Sequence, residues 1–274
     1  MDGTLVTRQK VLTERARQMI RALGSAGIKF AITSGRPPRG MQMLIEPLEL
    51  TTPIAAFNGG MFIRPDLSII EQHVLPADIV QSVIDTITSH RLDVWIYRGI
   101  DWFIRQPHAP HVDREEWTVK FAPIVVPDFS GIMDNVAKVV GISDDLEAVA
   151  KCESAVQKQF SGTVGSQQSN PQREPHSSVS AARSQPYYLD VTHPEANKGG
   201  VVLALARMLE IPAEQIATIG DMPNDTSMFA KSGISIAMGQ ASDEVKAAAT
   251  YVTTSSEDEG FANAVERYVL RAPS

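Results

Sequence analysis

Ile216-Ala217-Thr218-Ile219-Gly220-Asp221-Met222-Pro223-Asn224-Asp225 is the stretch on which the reading of this chain turns. Ile216 to Gly220 reads as a short strand that stops at Asp221, and a helix follows near Thr226 to Lys231. The turn between them carries oxygen-bearing side chains at Asp221, Asn224 and Asp225. That donor type suits a hard cation such as Mg²⁺ and does not suit zinc. Downstream the grammar repeats: a strand Ile234 to Met238, a helix Asp243 to Ala249, a strand Tyr251 to Thr253 and a final helix from about Gly260 to Leu270. Upstream, Lys198-Gly199-Gly200 opens a buried helix, Val201 to Leu209.

The beginning of the chain follows the same alternation. Thr13 can cap a helix whose apolar positions Ala16, Met19, Ile20 and Leu23 recur at helical spacing, with Gly24 and Gly27 at its end. A strand, Ile28 to Thr33, runs into Ser34-Gly35-Arg36-Pro37-Pro38, and a second, Ile54 to Phe57, stops at Asn58-Gly59-Gly60. Strand–helix units with abrupt glycine turns predict an α/β fold, a Rossmann-like doubly wound parallel sheet whose strand ends face a ligand crevice. Residues 1–75 and 186–274 then form one core.

The middle differs. Trp95, Tyr97, Trp102, Phe103 and Trp117 cluster there, with β-like runs at Val94 to Tyr97 and Val136 to Gly141 and a helix-like stretch at Leu146 to Phe160. We read residues 76–185 as an inserted α+β domain. Within it, Ser161 to Ser180 has the Ser-, Gln- and Pro-rich composition of a mobile loop. The aromatic cluster could stack on a sugar or a nucleobase, but such clusters more often form core.

Composition narrows the function classes. The chain has 274 residues, 43% of them apolar, enough for a sizeable core. Its net charge of −7 gives no overall drive toward nucleic acid or an anionic membrane. Cys152 is the only cysteine, which excludes an internal disulfide framework and a thiolate zinc cluster, and its surroundings predict an inert thiol. No apolar run approaches a membrane span, and the opening MDGTLVTRQK lacks a secretory apolar stretch, so a cytoplasmic location is expected. His108-Ala109-Pro110-His111 is a poor metal pair, because Pro110 breaks the helix that would align the rings. Asn224-Asp225-Thr226 matches a glycosylation acceptor, but nothing signals secretion. No Gly-x-Ser-x-Gly elbow, Walker loop or GxGxxG is present.

Asp2-Gly3-Thr4, Ser34-Gly35-Arg36, Lys198-Gly199 and Gly220 to Asp225 each stand at a turn after a strand or at a helix start. Singly they are ordinary turn and cap residues. Together they supply a hydroxyl, an ammonium and carboxylates, the inventory of phosphoryl transfer, where positioning and charge neutralisation dominate.

In order and rough spacing, Asp-Gly-Thr-Leu-Val at the start, Thr33-Ser34-Gly35-Arg36, Asn58-Gly59-Gly60, Asn197-Lys198-Gly199 and Gly220-Asp221-x-x-Asn224-Asp225 resemble the haloacid dehalogenase superfamily. The tail Ile236-Ala237-Met238-Gly239-Gln240-Ala241, with Val245-Lys246 and Glu259-Gly260, is similar to its Cof-type sugar-phosphate phosphatases, which usually carry Asn where Gln240 stands. The resemblance implies an aspartyl-phosphate mechanism. Asp2 would match the general acid and base two residues after the nucleophile. Ser34 would bond the transferring phosphoryl, and Lys198 would steady its charge. Thr33, Gly35, Arg36, Asn58 and Gly59 would lie beside the phosphate. Asp221 with Asn224 or Asp225, and the carbonyl of Asp2, would hold Mg²⁺. The insertion would be a C2 cap that selects a small phosphorylated metabolite, with the protein a monomer or homodimer.

One departure matters. The family pattern is Asp-x-Asp-Gly-Thr, and Met1 occupies the x, so the nucleophile would immediately precede the first residue and is absent. The apolar strand that should carry it is absent too, which would leave unpaired sheet edges. A misplaced start or a truncated chain is favoured over a natural pseudoenzyme, and the sequence as written should not turn over by the family mechanism. The reading is therefore a Mg²⁺-dependent phosphatase of small monoesters. The alternative is an inactive protein that binds a phospho-ligand.

Overall fold

The structure, a computed structural model, describes residues 1–160 and 179–271. These divide into two compact units, Met1–Ile70 with Asn197–Ser274, and Glu71–Ala196. The fold class is α/β, as the sequence predicts. No helix among the described residues is long and apolar enough to cross a membrane.

In the first unit the strands Ala217–Gly220, Ile234–Ala237 and Tyr251–Val252 form a parallel sheet in that order. The helix Glu14–Ser25 starts where the Thr13 side chain accepts the Ala16 N–H and turns Ala16, Ile20 and Leu23 inward. The helix Lys198–Leu209 opens on Asn197, whose side chain accepts the Gly200 N–H at 2.9 Å. The helix therefore begins at Lys198, three residues before the apolar run, because the cap sets the start. The final helical segment changes hydrogen-bond spacing, α over Gly260–Ala264 and π over Val265–Leu270.

A separate sheet holds Ile54–Ala56, Met61–Ile63 and Ile69–Gln72, the first two antiparallel. The strand expected over Ile28 to Thr33 does not form. That segment makes one parallel bridge, Thr33 to Ala55, in which the Ala55 N–H donates to the Ile32 carbonyl at 2.9 Å. Two causes are visible. Its only partner among the described residues is a strand of three residues, and the Phe30 carbonyl accepts the Thr52 hydroxyl in place of a ladder bond.

The second unit is a six-stranded sheet ordered Ile124–Val125, Asp101–Ile104, Asp93–Arg98, Val136–Ile142, Tyr188–Thr192, Ser180–Gln185. Period-two alternation separates its faces. Ile96, Val139, Leu189 and Val191 join Val80, Val83 and Ile87 of the helix Ala77–Ser89 and Val149, Cys152 and Val156 of the helix Leu146–Phe160 in one core. On the opposite parity, Trp95 and Trp102 meet edge to face at 4.9 Å, and Tyr97 stacks on Trp102. Trp95, Tyr97 and Trp102 are thus buried core, whereas Trp117 is exposed.

The unit extends beyond the expected 76–185 on both sides. Tyr188–Thr192 pairs along Val136–Ile142, so the hairpin it makes with Ser180–Gln185 cannot be divided at 185. The loop expected over Ser161 to Ser180 lies outside the described residues up to position 178; Val179 packs against the core of the second unit and Ser180 opens a strand.

Candidate active site

Four chain segments converge in the first unit. Asp2, Gly3 and Thr4 form a tight turn in which the Leu5 N–H donates to the Met1 carbonyl at 2.9 Å. The Thr4 hydroxyl donates to Asp221 Oδ1 at 2.7 Å, so the first turn is bonded to the end of the strand Ala217–Gly220. Gly3 has φ +69°, and a Cβ there would collide with the Asp221 carboxylate; only glycine allows this approach. The Gln240 side chain donates to the Gly3 carbonyl and accepts the Ser256 N–H at 3.1 Å, which fixes the turn from a second side.

Lys198, at the start of its helix, pairs with Asp225 at 2.5 Å, and both side chains are almost wholly buried. The second oxygen of Asp225 accepts the Asp221 and Met222 N–H groups at 2.8 and 2.9 Å. Burial works against the Asp225 carboxylate, but the Lys198 charge and these bonds hold its pKa below the ordinary value. Both oxygens are thereby committed, so Asp225 shapes the loop and orients Lys198 and is not placed to coordinate an ion. Asp221 differs: burial raises its pKa, and Thr4 and the Met1 ammonium only partly oppose this. A desolvated carboxylate of this kind favours a cation beside it. Asn224 is exposed at the same turn. The α-amino group of Met1 is buried, which with the Lys198 charge lowers its pKa, while Asp2, Asp225 and Asp221 act on it from close by.

Asp2 is clamped. Arg36 donates to it through Nε at 2.8 Å and Nη2 at 2.7 Å, and Lys10 donates to Oδ1 at 2.7 Å. Burial pushes the Asp2 carboxyl up, but these bonds and the Arg36 charge outweigh it and bring the pKa to about 2. As arranged, Asp2 is an ion-pair partner and holds no proton to give. Arg36, expected beside a phosphate, instead spends its fork on Asp2 and donates to the Gly40 carbonyl at 3.1 Å. Lys10 lacked any sequence signal, being a lone lysine outside the motifs.

The Ser34 N–H donates to the Ala55 carbonyl at 3.0 Å, and the Ser34 carbonyl accepts the Asn58 N–H at 2.7 Å. Ser34 Oγ accepts the Arg36 N–H at 3.2 Å. The Asn58 side chain lies against Gly35, and its buried Oδ1 has no partner; the buried Thr33 hydroxyl has none either. Unsatisfied buried polar atoms of this kind are expected where a polar ligand binds. Gly59 has φ +100°, and a Cβ would press on Val201 at 2.7 Å.

The other candidates take structural places. His111 Nε2 donates to Asp144 Oδ1 at 2.8 Å, and the ring stacks on Tyr187. Cys152 is buried, which pushes its thiol up to about 11 and leaves it protonated.

Comparison with known proteins identifies the family. The family described as haloacid dehalogenase-like hydrolase matches residues 1–265. The chain belongs to the haloacid dehalogenase-like hydrolases. A crystal structure of such a hydrolase from Bacteroides thetaiotaomicron superposes with a TM-score of 0.85 at 27% identity, covering 97% of each chain. The 5-amino-6-(5-phospho-D-ribitylamino)uracil phosphatase YitU of Bacillus subtilis is 26% identical over 98% of this chain and 95% of its own. The subclass IIB sugar phosphatase BT4131 shares the fold, with a TM-score of 0.79 at 21% identity over 97% of this chain and 96% of its own. The hydrolase thus matches its relatives over nearly their full length.

Proposed function

We propose that this hydrolase cleaves small phosphate monoesters, sugar phosphates among them, with Mg²⁺. The observation that carries the reading is the joining of the Asp2–Thr4 turn, Asp221, Asp225 and Lys198 by direct hydrogen bonds: Thr4 donates to Asp221, the Asp221 N–H donates to Asp225, and Lys198 donates to Asp225. Relatives named as phosphatases, one of them a sugar phosphatase, support the substrate class.

In this reading Lys198, oriented by Asp225, neutralises the phosphoryl charge, and the Ser34 hydroxyl with the Asn58 amide holds its oxygens. Asp221 is the principal metal ligand, joined by the Asp2 carbonyl and Asn224. The all-oxygen donor set and the burial of Asp221 fit Mg²⁺. When bound, the cation would screen the charge of the phosphate. In the family pattern the nucleophile is an aspartate two positions ahead of the one that Asp2 matches, and a chain extended upstream would supply it. Asp2 then serves as acid and base after Arg36 transfers its fork from the carboxylate to the substrate phosphate, which lets the Asp2 pKa rise.

The test is phosphate release from an aryl phosphate, with and without Mg²⁺, by this chain and by one extended upstream with a short apolar strand ending in Asp. Activity only in the extended chain, and only with Mg²⁺, is expected. Phosphate binding by both without turnover by either would overturn it in favour of a binding protein.

A further inference from the structure

Metal chemistry of a different kind is available in the unit Glu71–Ala196. His73, His193 and Glu195 each place one ligand atom within 4.8 Å of the other two. His73 Nδ1 lies 3.3 Å from Glu195 Oε2, and the His73 and His193 rings stack with centroids 5.4 Å apart. We propose that His73, His193 and Glu195 bind a zinc-type divalent cation.

The donor set decides the ion. Two imidazoles and a carboxylate are borderline ligands, suited to Zn²⁺ and poorly suited to Mg²⁺, which takes oxygen alone. The separation of His73 Nδ1 and Glu195 Oε2 already matches the edge of a tetrahedron around zinc, about 3.3 Å for bonds of about 2.0–2.1 Å. The third ligand atom, on His193, lies within 4.8 Å of both. His193 Nδ1 accepts the Glu195 N–H at 3.2 Å, so these two ligands are already held together by one short turn. Glu71 Oε1 stands 3.9 Å from His73 Nε2, on the far side of the ring from Glu195. That is where a carboxylate orients a metal-bound histidine and raises its basicity. His73 is about one-fifth exposed and Glu195 mostly exposed, so the ion can enter from solvent and keep an open position for water.

The ligands come from the first and last segments of the unit's chain. A cation bound there ties these ends together in the folded state and has no such site in the unfolded one, so it stabilises the fold by mass action. The sequence hid the cluster because His73 and His193 lie far apart in it and neither belongs to a metal-spacing motif.

The experiment is Zn²⁺ titration calorimetry and Co²⁺ visible absorption on the full, tag-free chain carrying Asp221→Asn, which silences the oxygen site. One equivalent of Zn²⁺ should bind, raise Tm, and show the Co²⁺ spectrum of a site with nitrogen ligands. His73→Ala, His193→Ala and Glu195→Gln should each weaken binding by about tenfold or more. Glu195→Gln changes one exposed oxygen to nitrogen, and circular dichroism will confirm that it folds. Absence of Zn²⁺ binding, or binding unchanged in the folded Glu195→Gln chain, would overturn the proposal.

Discussion

Among the described residues, a buried lysine meets an aspartate in each unit, Lys138 with Asp190 and Lys198 with Asp225, and the two pairs have different surroundings. In the unit Glu71–Ala196, Lys138 meets Asp190 at 2.5 Å beneath the rings of Tyr97 and Tyr188, 5.5 and 5.0 Å from its Nζ. In the other unit Lys198 meets Asp225 at the same distance, but Asp225 also accepts the N–H of Asp221, a second half-buried carboxylate tied to Thr4. The two tyrosine rings cover the Lys138 pair, and the Tyr97 hydroxyl beside it donates to the Glu115 carboxylate at 2.9 Å. The Lys198 setting adds a second, desolvated carboxylate, Asp221, and desolvated charges clustered in this way make a candidate ligand site. Burial of a charge pair alone is thus weak evidence for function; the carboxylate next to it, Asp221, bonded to Thr4 through one oxygen, is the informative group.

The comparison breaks most readily at Lys198. Lys198→Ala leaves Asp225 buried and unpaired and should cost about 3–5 kcal/mol in urea unfolding. A loss below 1 kcal/mol would show that the pair is solvated. Arg36→Ala should come next: the Asp2 carboxyl should move from about 2 toward its ordinary 3.8, read by NMR titration. No movement would mean that Lys10 alone holds it.

A smaller effect is expected from Asp2→Asn. The folded-state pKa of Asp2 lies below the unfolded value, so its contribution is complete above about pH 4 and is lost as pH falls toward 2. Because Asp2 is one-third exposed, that contribution is put at about 1 kcal/mol. The two chains should therefore differ in stability at pH 7 and converge near pH 2. The smallest change is predicted for Lys138→Met with Asp190→Leu, which removes both charges from the aromatic setting. Urea unfolding should give a stability within about 1 kcal/mol of the original or above it. A large loss would show that this pair stabilises the fold beyond what apolar packing supplies.

Much of this frame was legible in the sequence, because glycine turns and helix caps mark where strands end. Gly220-Asp221 closes a strand and Asn197-Lys198 opens a helix for reasons of local backbone chemistry. Spacing could not say which of Asp221 and Asp225 turns toward a ligand, since that depends on a lysine 27 positions away. Nor could it reveal the Arg36 clamp on Asp2, a contact between residues 34 apart. The Ile28 to Thr33 segment misled because β-propensity counts only when a partner strand is present. The aromatic residues of the second unit read as core or stacking surface alike until the sheet register put them on one buried face.

The most direct test of the central claim, that the charges around Asp221 form a phosphatase site, is Mg²⁺-dependent phosphate release by the upstream-extended chain with and without Asp221→Asn. The account predicts that the substitution lowers turnover by about 10²-fold or more while the protein stays folded. Turnover that survives Asp221→Asn, or that needs no Mg²⁺, would contradict it.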